Sequence, residues 1–493
     1  MRLQPLKSMV ISKNERMINM KKFILSISLL LVFTLSACVE APEDHTPIPS
    51  FDQETFNEVF GHLIDNHYSQ PTIDQLWEGA IRGLITSLED PYTQYLSAAE
   101  FRAFQDSLGE SFVGIGVLIE NINDNVVIRQ VFDNSPAERA GLLPGDVITF
   151  IDGEDYTGRS YFDKVSAVTG PEGSDVEVGV IRSGVANPIF FTMTRARIQN
   201  PTVVVEVFEE DDKTIGYIRV NSFGSQTFFL FNSYLAMLEV DSGIDALIID
   251  LRNNSGGFLS TVNNMLNMFL SSDGLPMFQI EEWVNGERSV TPYFASNTNT
   301  KSYPIITLIN GNSASASEVF AAGMIEAGGF EVVGTPSFGK GTMQVPKSLR
   351  STDGDELQAS TGRWLTPEGN WINKRGGDFE SVIPTVVVEQ NPVFSAFSIF
   401  LSEGEVLRFD QVSPQIQNAQ IILTALGYEL RQDGYFDQNT VDQLKIYQQN
   451  NNLPVTGDID AATAAKLSEA LFNYRRNLDH DFQLQEALRM LSE

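Results

Sequence analysis

The residues with the clearest chemical potential lie in Asn310-Gly311-Asn312-Ser313-Ala314-Ser315-Ala316-Ser317-Glu318. This stretch follows an apolar run, Ile305 to Ile309, and leads into a helical pattern through Val319, Phe320, Ala322 and Met324 that stops at Gly328-Gly329. A strand that turns sharply into a helix through small residues can hold a serine hydroxyl at a helix N-terminus. Unpaired N–H groups and the positive dipole end there favour negative charge, which suits a tetrahedral oxyanion. Ser315 is the candidate nucleophile. Ser315-x-x-Glu318 also fits a capping box, in which the hydroxyl only satisfies a backbone donor, so the choice depends on what else the chain supplies.

Between Thr202 and Glu389 there is no histidine and no cysteine. A Ser-His-Asp triad, a Cys-His pair and a thiolate-and-imidazole zinc site are thereby excluded locally. The base candidate is Lys340, in Thr335-Pro336-Ser337-Phe338-Gly339-Lys340-Gly341-Thr342-Met343-Gln344. A lysine with a pKa of about 10.4 is useless as a base near neutrality, so burial must depress it. Phe338, Gly339 and Gly341 allow a close, poorly solvated approach, and no residue from Thr335 to Val345 is acidic. An ordinary turn lysine in solvent is the competing reading. In Asp250-Leu251-Arg252-Asn253-Asn254-Ser255-Gly256-Gly257, the paired glycines after a strand permit close backbone approach or simply make a strand-to-helix turn.

These residues need a scaffold, and Thr202 to about Glu389 reads as α/β. Ile215 to Val220, Ala246 to Leu251, Ile305 to Ile309 and Glu331 to Gly334 are strand candidates with helical segments between them. Upstream, residues 51–108 have helical periodicity, broken at Asp90-Pro91 within Leu88-Glu89-Asp90-Pro91-Tyr92-Thr93-Gln94-Tyr95-Leu96. His62 and His67, five apart, do not share a helix face and are read as structural or surface residues. Residues 109–197 change to short strands with turns. Their Gly114-Ile115-Gly116 loop and the run Ala140-Gly141-Leu142-Leu143-Pro144-Gly145-Asp146-Val147-Ile148 resemble a PDZ domain. The resemblance implies that Ile115, Gly116 and Val117 line a loop of N–H groups receiving a terminal carboxylate, while the peptide adds a strand to the sheet edge. A rigid β lid with no ligand is the alternative.

At 493 residues the chain exceeds one core, and its net charge of −31 argues against nucleic acid as a partner. Lys21-Lys22 precede an apolar run, Phe23 to Leu35, with the proportions of a signal h-region rather than a membrane span. Leu35-Ser36-Ala37-Cys38 resembles the bacterial lipobox, which implies cleavage before Cys38 and lipidation of its thiol. Acyl chains would hold the protein at a membrane surface outside the cytoplasm. Met17 and Met20 offer alternative starts, and 39–50 reads as a tether.

After Glu389, Phe394 to Leu401 reads as an apolar helical stretch, followed by a compact unit over 410–472. Ser413-Pro414, Gly427, Asp433-Gly434-Tyr435-Phe436, Leu453-Pro454-Val455-Thr456-Gly457 and Asp460-x-x-Thr463 resemble the three-helix peptidoglycan-binding domain. The resemblance implies cell-wall recognition, a plain helical spacer being the alternative. The last segment, 473–493, carries a helix over Asp481 to Leu491 with Leu484, Ala487, Leu488 and Leu491 on one face, expected to pack on the core.

Taken together and in this order behind a PDZ unit, the Asp-Leu-Arg-Asn-Asn-Ser-Gly-Gly, Ser-Ala-Ser-Ala-Ser-Glu and Phe-Gly-Lys-Gly-x-x-Gln motifs resemble the carboxyl-terminal processing proteases, tail-specific serine peptidases with a Ser-Lys dyad. The resemblance covers about residues 51–390 and implies a crotonase-like α/β protease core over 198–409. It places the nucleophile at Ser315, the general base at Lys340, a lysine-orienting residue at Gln344 and the oxyanion hole at Gly256, Gly257 and Ala316. No metal or cofactor is implied. Two departures stand out: Glu326-Ala327-Gly328-Gly329 where an acidic-basic pair is usual, and Ile383-Pro384-Thr385, preceded by an insertion around 376–380. The expected whole is a multidomain α/β protein with a helical N-terminal cap, acting as a lipid-anchored envelope endopeptidase on unstructured protein C-termini. A non-catalytic envelope adaptor and an enzyme acting on cell-wall peptides are the rivals.

Overall fold

The computed structural model describes residues 50–493 except 99, 102–110, 123–124, 133, 160, 183–184, 186, 200, 285, 299, 351–353, 400 and 402–403. Cys38, the signal segment and most of the tether lie outside the described residues. Among those described, no helix is long and apolar enough to cross a membrane. The chain divides into two compact units, 1–81 and 82–493.

In the first unit, helix α1 (Ser50–Asn66) precedes α2 (Ile73–Thr86), which runs into the second. Thr72 and Gln75 exchange N–H to side-chain bonds of 2.9 and 3.2 Å, a capping box that starts α2. Phe56, Phe60 and Trp77 cluster with ring centroids 5.0–5.9 Å apart. Their spacing on the two helices makes one aromatic stripe.

The second unit opens with a departure from the helical reading of 51–108: Gln94–Leu96 is a strand, β1. Asp90 accepts from the Tyr92 N–H at 3.0 Å and the Thr93 hydroxyl at 2.6 Å, and this Asx turn redirects the chain into extended structure. Next come β2 (Ser111–Gly114), β3 (Val117–Ile122), β4 (Asn125–Val131), α3 (Pro136–Ala140), β5 (Val147–Ile151), β6 (Glu154–Asp155), α4 (Tyr161–Val168), β7 (Asp175–Ile181), β8 (Ile189–Thr194) and β9 (Ala196–Gln199). The sheet order is β3-β4-β5-β7-β8, with β6 on β5 and β2 paired to β9. Ile115, Val126, Ile128, Ile148, Val178 and Val180 fill its core. Strand β3 is left at the sheet edge, where an added strand would pair.

The core sheet uses β10 (Val203–Glu210), β11 (Lys213–Val220), β12 (Ala246–Asp250), β15 (Ile305–Ile309), β16 (Glu331–Gly334) and β19 (Val386–Val387), hydrogen-bonded in that order. Only β10–β11 is antiparallel; the remaining pairs are parallel. Strands β12 and β15 are buried on every residue because both faces are covered. One face receives α5 (Thr227–Met237), α6 (Leu259–Leu266) and α7 (Ala316–Ala322), through Phe231, Leu235, Val262, Met265 and Phe320. A second, antiparallel sheet holds β13 (Phe278–Val284), β14 (Glu287–Tyr293), β17 (Thr342–Ser348) and β18 (Glu356–Leu365), with β1 on the edge of β18.

The stretch Phe394 to Leu401 is not the helix its apolar pattern suggests. A 3-10 turn, Pro392–Phe394, gives way to irregular chain whose polar groups are met from outside: Arg475 donates to the Val393 carbonyl, and Asn418 and Ser468 accept from the N–H groups of Phe397 and Ile399. Burying Val393, Ala396, Ile399 and Leu401 against the following unit outweighs local helix propensity. That unit is three helices, α8 (Pro414–Ala425), α9 (Gln438–Asn450) and α10 (Ala461–Arg475), capped by Ser413, Asp437 and Asp460. Helix α11 (Phe482–Ser492) then covers the other face of the core sheet, with Leu484, Ala487, Leu488 and Leu491 against Ile215, Ile248, Ile306, Leu308 and Val333.

Candidate active site

Ser315 stands at the turn from β15 into α7 with φ 55° and ψ −113°, a strained conformation for a residue carrying a Cβ. The strain is held by Glu318. Its buried carboxylate accepts from the Ser315 N–H at 2.7 Å, while the Ser315 hydroxyl faces the N3 position of the helix without closing a side-chain cap bond. The capping arrangement thus exists, but it is the glutamate that satisfies a donor. The same carboxylate accepts from the Gly339 and Lys340 N–H groups at 2.7 and 2.9 Å and from the Ser337 hydroxyl at 2.6 Å. One side chain therefore ties the Ser315 turn to the Lys340 loop. Burial pushes the Glu318 carboxyl above its ordinary range, against these four hydrogen bonds.

The Lys340 loop is gripped from behind as well. Trp364 Nε1 donates to the Lys340 carbonyl at 2.8 Å and Trp371 Nε1 to the Gly341 carbonyl at 3.0 Å. A Cβ on Gly339 would lie 2.1 Å from the Glu380 carbonyl oxygen, and one on Gly341 1.9 Å from that of Ile372. These two glycines are what let the loop pack so closely. Lys340 is half-buried, and desolvation lowers its pKa from the ordinary lysine range, opposed by the charges of Glu318 and Asp90. Its Nζ lies 4.7 Å from the centroid of the Tyr92 ring, a cation–π distance.

Ser315 and Lys340 line one cleft of about 950 Å³, together with Gly256, Gly257, Ala316, Gln344, Tyr92, Arg219 and Leu118 of the edge strand β3. Among the described residues the two functional groups share no hydrogen bond. Gln344 lies in the cleft but does not reach Lys340: its amide donates to Thr342 Oγ1 at 3.1 Å and Ser360 Oγ at 3.0 Å. The β-bulge between Met343 and Gln344 re-aims the side chain.

The two glycines differ. The Gly256 N–H is spent on Asn254 Oδ1 at 2.9 Å, and its carbonyl accepts from Phe223 at 2.9 Å. The Gly257 N–H has no acceptor among the described residues, and neither has that of Ala316 at the first turn of α7. A Cβ on Gly256 would come within 3.0 Å of Ser315 Cβ and 3.1 Å of the Ala316 nitrogen, so the glycine turn and the Ser315 turn are in contact. Asn254 locks them together: its carbonyl accepts from the Ala314 N–H and the Ser317 hydroxyl, and its amide donates to the Val220 carbonyl. Beneath, Asp250 accepts from Arg252 and Tyr217, and Arg252 reaches Asp481 at 2.6 Å.

In the PDZ unit, the Ile115 side chain is core and only its backbone faces the loop. The Ile115 and Gly116 carbonyls accept from Ala137 and Phe132, fixing the loop, and their N–H groups have no acceptor among the described residues. Gly116 has φ 84°, and a Cβ there would meet Ser135 Cβ at 2.3 Å. Val117 opens β3, in register with Val131.

Glu318, Asn254, Tyr92, Trp364 and Trp371 were not singled out in the sequence as site residues. Glu318 was visible as the fourth residue of a capping box, and Tyr92 as part of the Asp-Pro break; the indole contacts carry no local signal. Among the described residues no group of three or more His, Cys, Asp or Glu is placed to hold a metal.

Comparison with known proteins identifies the domains. Residues 214–388 match peptidase family S41, 113–188 a PDZ domain, 412–467 a peptidoglycan binding domain, and 42–99 the N-terminal domain of the activating protease CtpB. The chain is 36% identical over 431 residues to the carboxy-terminal processing protease CtpB of Bacillus subtilis, covering 87% of each chain. It is 30% identical to CtpA of the same organism over 89% of this chain and 90% of the relative. Among solved structures, the photosystem II D1 C-terminal processing protease is 25% identical with a TM-score of 0.45, over 69% of this chain and 88% of that one.

Proposed function

Because this chain belongs to the carboxy-terminal processing proteases of peptidase family S41, serine peptidases, and carries PDZ and peptidoglycan-binding domains, we propose that it cleaves protein chains near their C-termini through a Ser315–Lys340 dyad. The observation that carries this reading is Lys340: a half-buried amine, its pKa lowered by desolvation, in the same cleft as a strained helix-cap serine. Neutral Lys340 takes the Ser315 hydroxyl proton as Oγ attacks the peptide carbonyl carbon. The resulting oxyanion accepts from the Ala316 and Gly257 N–H groups. When the C–N bond breaks, the Lys340 ammonium returns the proton to the leaving amine, and water then hydrolyses the ester.

The resting geometry fits a gated enzyme. Lys340 sits over Tyr92 and Gln344 is turned to Ser360, so substrate entry has to bring the amine to the hydroxyl and Gln344 to the amine. Leu118 places the edge strand of the PDZ sheet on the cleft wall, where a strand-adding peptide held at Ile115, Gly116 and Val117 would enter directly. The peptidoglycan-binding-domain match and the relatives support an extracytoplasmic site of action with peptidoglycan as a second partner, and the lipobox-like Leu35-Ser36-Ala37-Cys38 supports Cys38 as the lipid anchor.

The test is degradation of a loosely folded protein with an apolar tail by wild type, Ser315→Ala and Lys340→Ala. Loss of cleavage in both variants is expected. Cleavage surviving either change refutes the dyad, and cleavage of muropeptides alone would favour a cell-wall substrate.

A further inference from the structure

The chain holds 64 acidic residues against 33 lysines and arginines, yet none of the side chains lining the cleft is acidic and two are basic, Lys340 and Arg219. The two basic side chains differ in kind. Lys340 already faces Glu318 and Asp90, whose charges favour its ammonium form. Arg219 is exposed near the end of β11 and, among the described residues, donates no hydrogen bond and joins no ion pair. The acid in register with it on the neighbouring strand, Asp250, is hydrogen-bonded by Arg252 and the Tyr217 hydroxyl and meets Arg219 through its charge alone. A guanidinium keeps its charge at any working pH and presents a planar fork matched to a carboxylate.

Resting on the proteolytic reading above, we propose that Arg219 is a substrate-carboxylate subsite of this cleft. Strands β11, β12 and β15 are consecutive neighbours in the sheet, so the strand carrying Arg219 runs about 10 Å from β15, which ends at Ile309 and leads through the turn to Ser315. That span equals about three residues of extended peptide at about 3.3 Å per residue. The group bound is a peptide carboxylate about three residues from the scissile bond. It is either the terminal α-carboxylate of a chain cut close to its end or an Asp or Glu side chain. With no acid in the cleft lining to compete, the Arg219 charge also favours anionic over neutral segments there.

The experiment uses the full chain and one cleavable peptide in four forms: free acid, C-terminal amide, and Glu or Gln at the third residue from the scissile bond. kcat/KM is measured for wild type, Arg219→Gln and Arg219→Lys on all four peptides, and Kd is measured by anisotropy for the same peptides with Arg, Gln or Lys at position 219 in the Ser315→Ala background. Wild type is expected to prefer a carboxylate over its neutral isostere by about tenfold, as for one charge-assisted contact. In Arg219→Gln that ratio falls to about one, and Arg219→Lys lies between. Loss confined to the amide pair identifies the terminal carboxylate; loss confined to the Glu/Gln pair identifies a side chain. No carboxylate preference in wild type, or the same preference in Arg219→Gln, overturns the proposal. Failure of the dyad would instead appear as cleavage by Ser315→Ala, with the binding ratios still deciding the role of Arg219.

Discussion

Glu318→Gln should disable the site without removing any group proposed to react. Its Oε1 accepts from Ser337 and Gly339, and its Oε2 from Ser315 and Lys340. An amide puts an NH₂ donor at one of these ends. In the better orientation the NH₂ replaces Oε1: the Ser337 hydroxyl rotates to accept, and only the Gly339 N–H is stranded, at about 1–3 kcal/mol. Loss of charge assistance from the remaining bonds adds about 1 kcal/mol, so the variant should be about 2–4 kcal/mol less stable in urea unfolding. If the resulting shift reaches the Ser315 turn and the Lys340 loop together, kcat/KM should fall at least 100-fold, about 2.7 kcal/mol of barrier. Residual activity should persist to lower pH than in wild type, because the Glu318 charge favours the ammonium form of Lys340 and its removal lowers that pKa further. A Gln variant with wild-type urea midpoint and wild-type kcat/KM would refute the role given to this carboxylate.

Lys340 must be neutral to act, so kcat/KM of the wild type should decline as pH falls through its lowered pKa; an ascending limb at the ordinary lysine value of about 10.4, or none, would count against it as base. Gly257→Ala should cost at least 100-fold in kcat/KM, because the new Cβ would meet the Phe223 carbonyl oxygen at 2.4 Å at φ +143° and displace the open N–H. Asp481→Ala removes one partner of the buried Arg252 and should destabilise by about 2–4 kcal/mol, read from the urea midpoint. Leu488→Ala, on the face of α11 buried against the core sheet, should cost about 2–5 kcal/mol in the same assay.

The strands that carry the site were legible because burial on both faces writes them as continuous Ile, Leu and Val runs: the expected Ala246 to Leu251 and Ile305 to Ile309 differ from the observed strands by at most one residue. The serine and lysine motifs were legible through small residues that only a tight turn requires. What stayed hidden depends on partners distant in sequence. Gln94 to Leu96 looked helical because its pairing partners, Glu356 to Gln358, lie some 260 residues away. Phe394 to Leu401 has an apolar pattern that a helix would also show, and only the polar groups of Asn418, Ser468 and Arg475 decide otherwise. The direction of Gln344 depends on a bulge that no residue type announces. Glu318 was read as serving one helix end, whereas it joins two loops through a contact spanning 22 residues.

Helix α11 follows the three-helix unit in the chain yet forms one layer of the protease core. The three-helix unit is therefore an insertion in the catalytic domain rather than an appendage, and it cannot be trimmed off as a tail without stripping the sheet beneath Asp250 and Arg252. During synthesis one side of that sheet stays bare until residues beyond 480 have left the ribosome. The core sheet therefore gains its second covering layer only after the three-helix unit has been made.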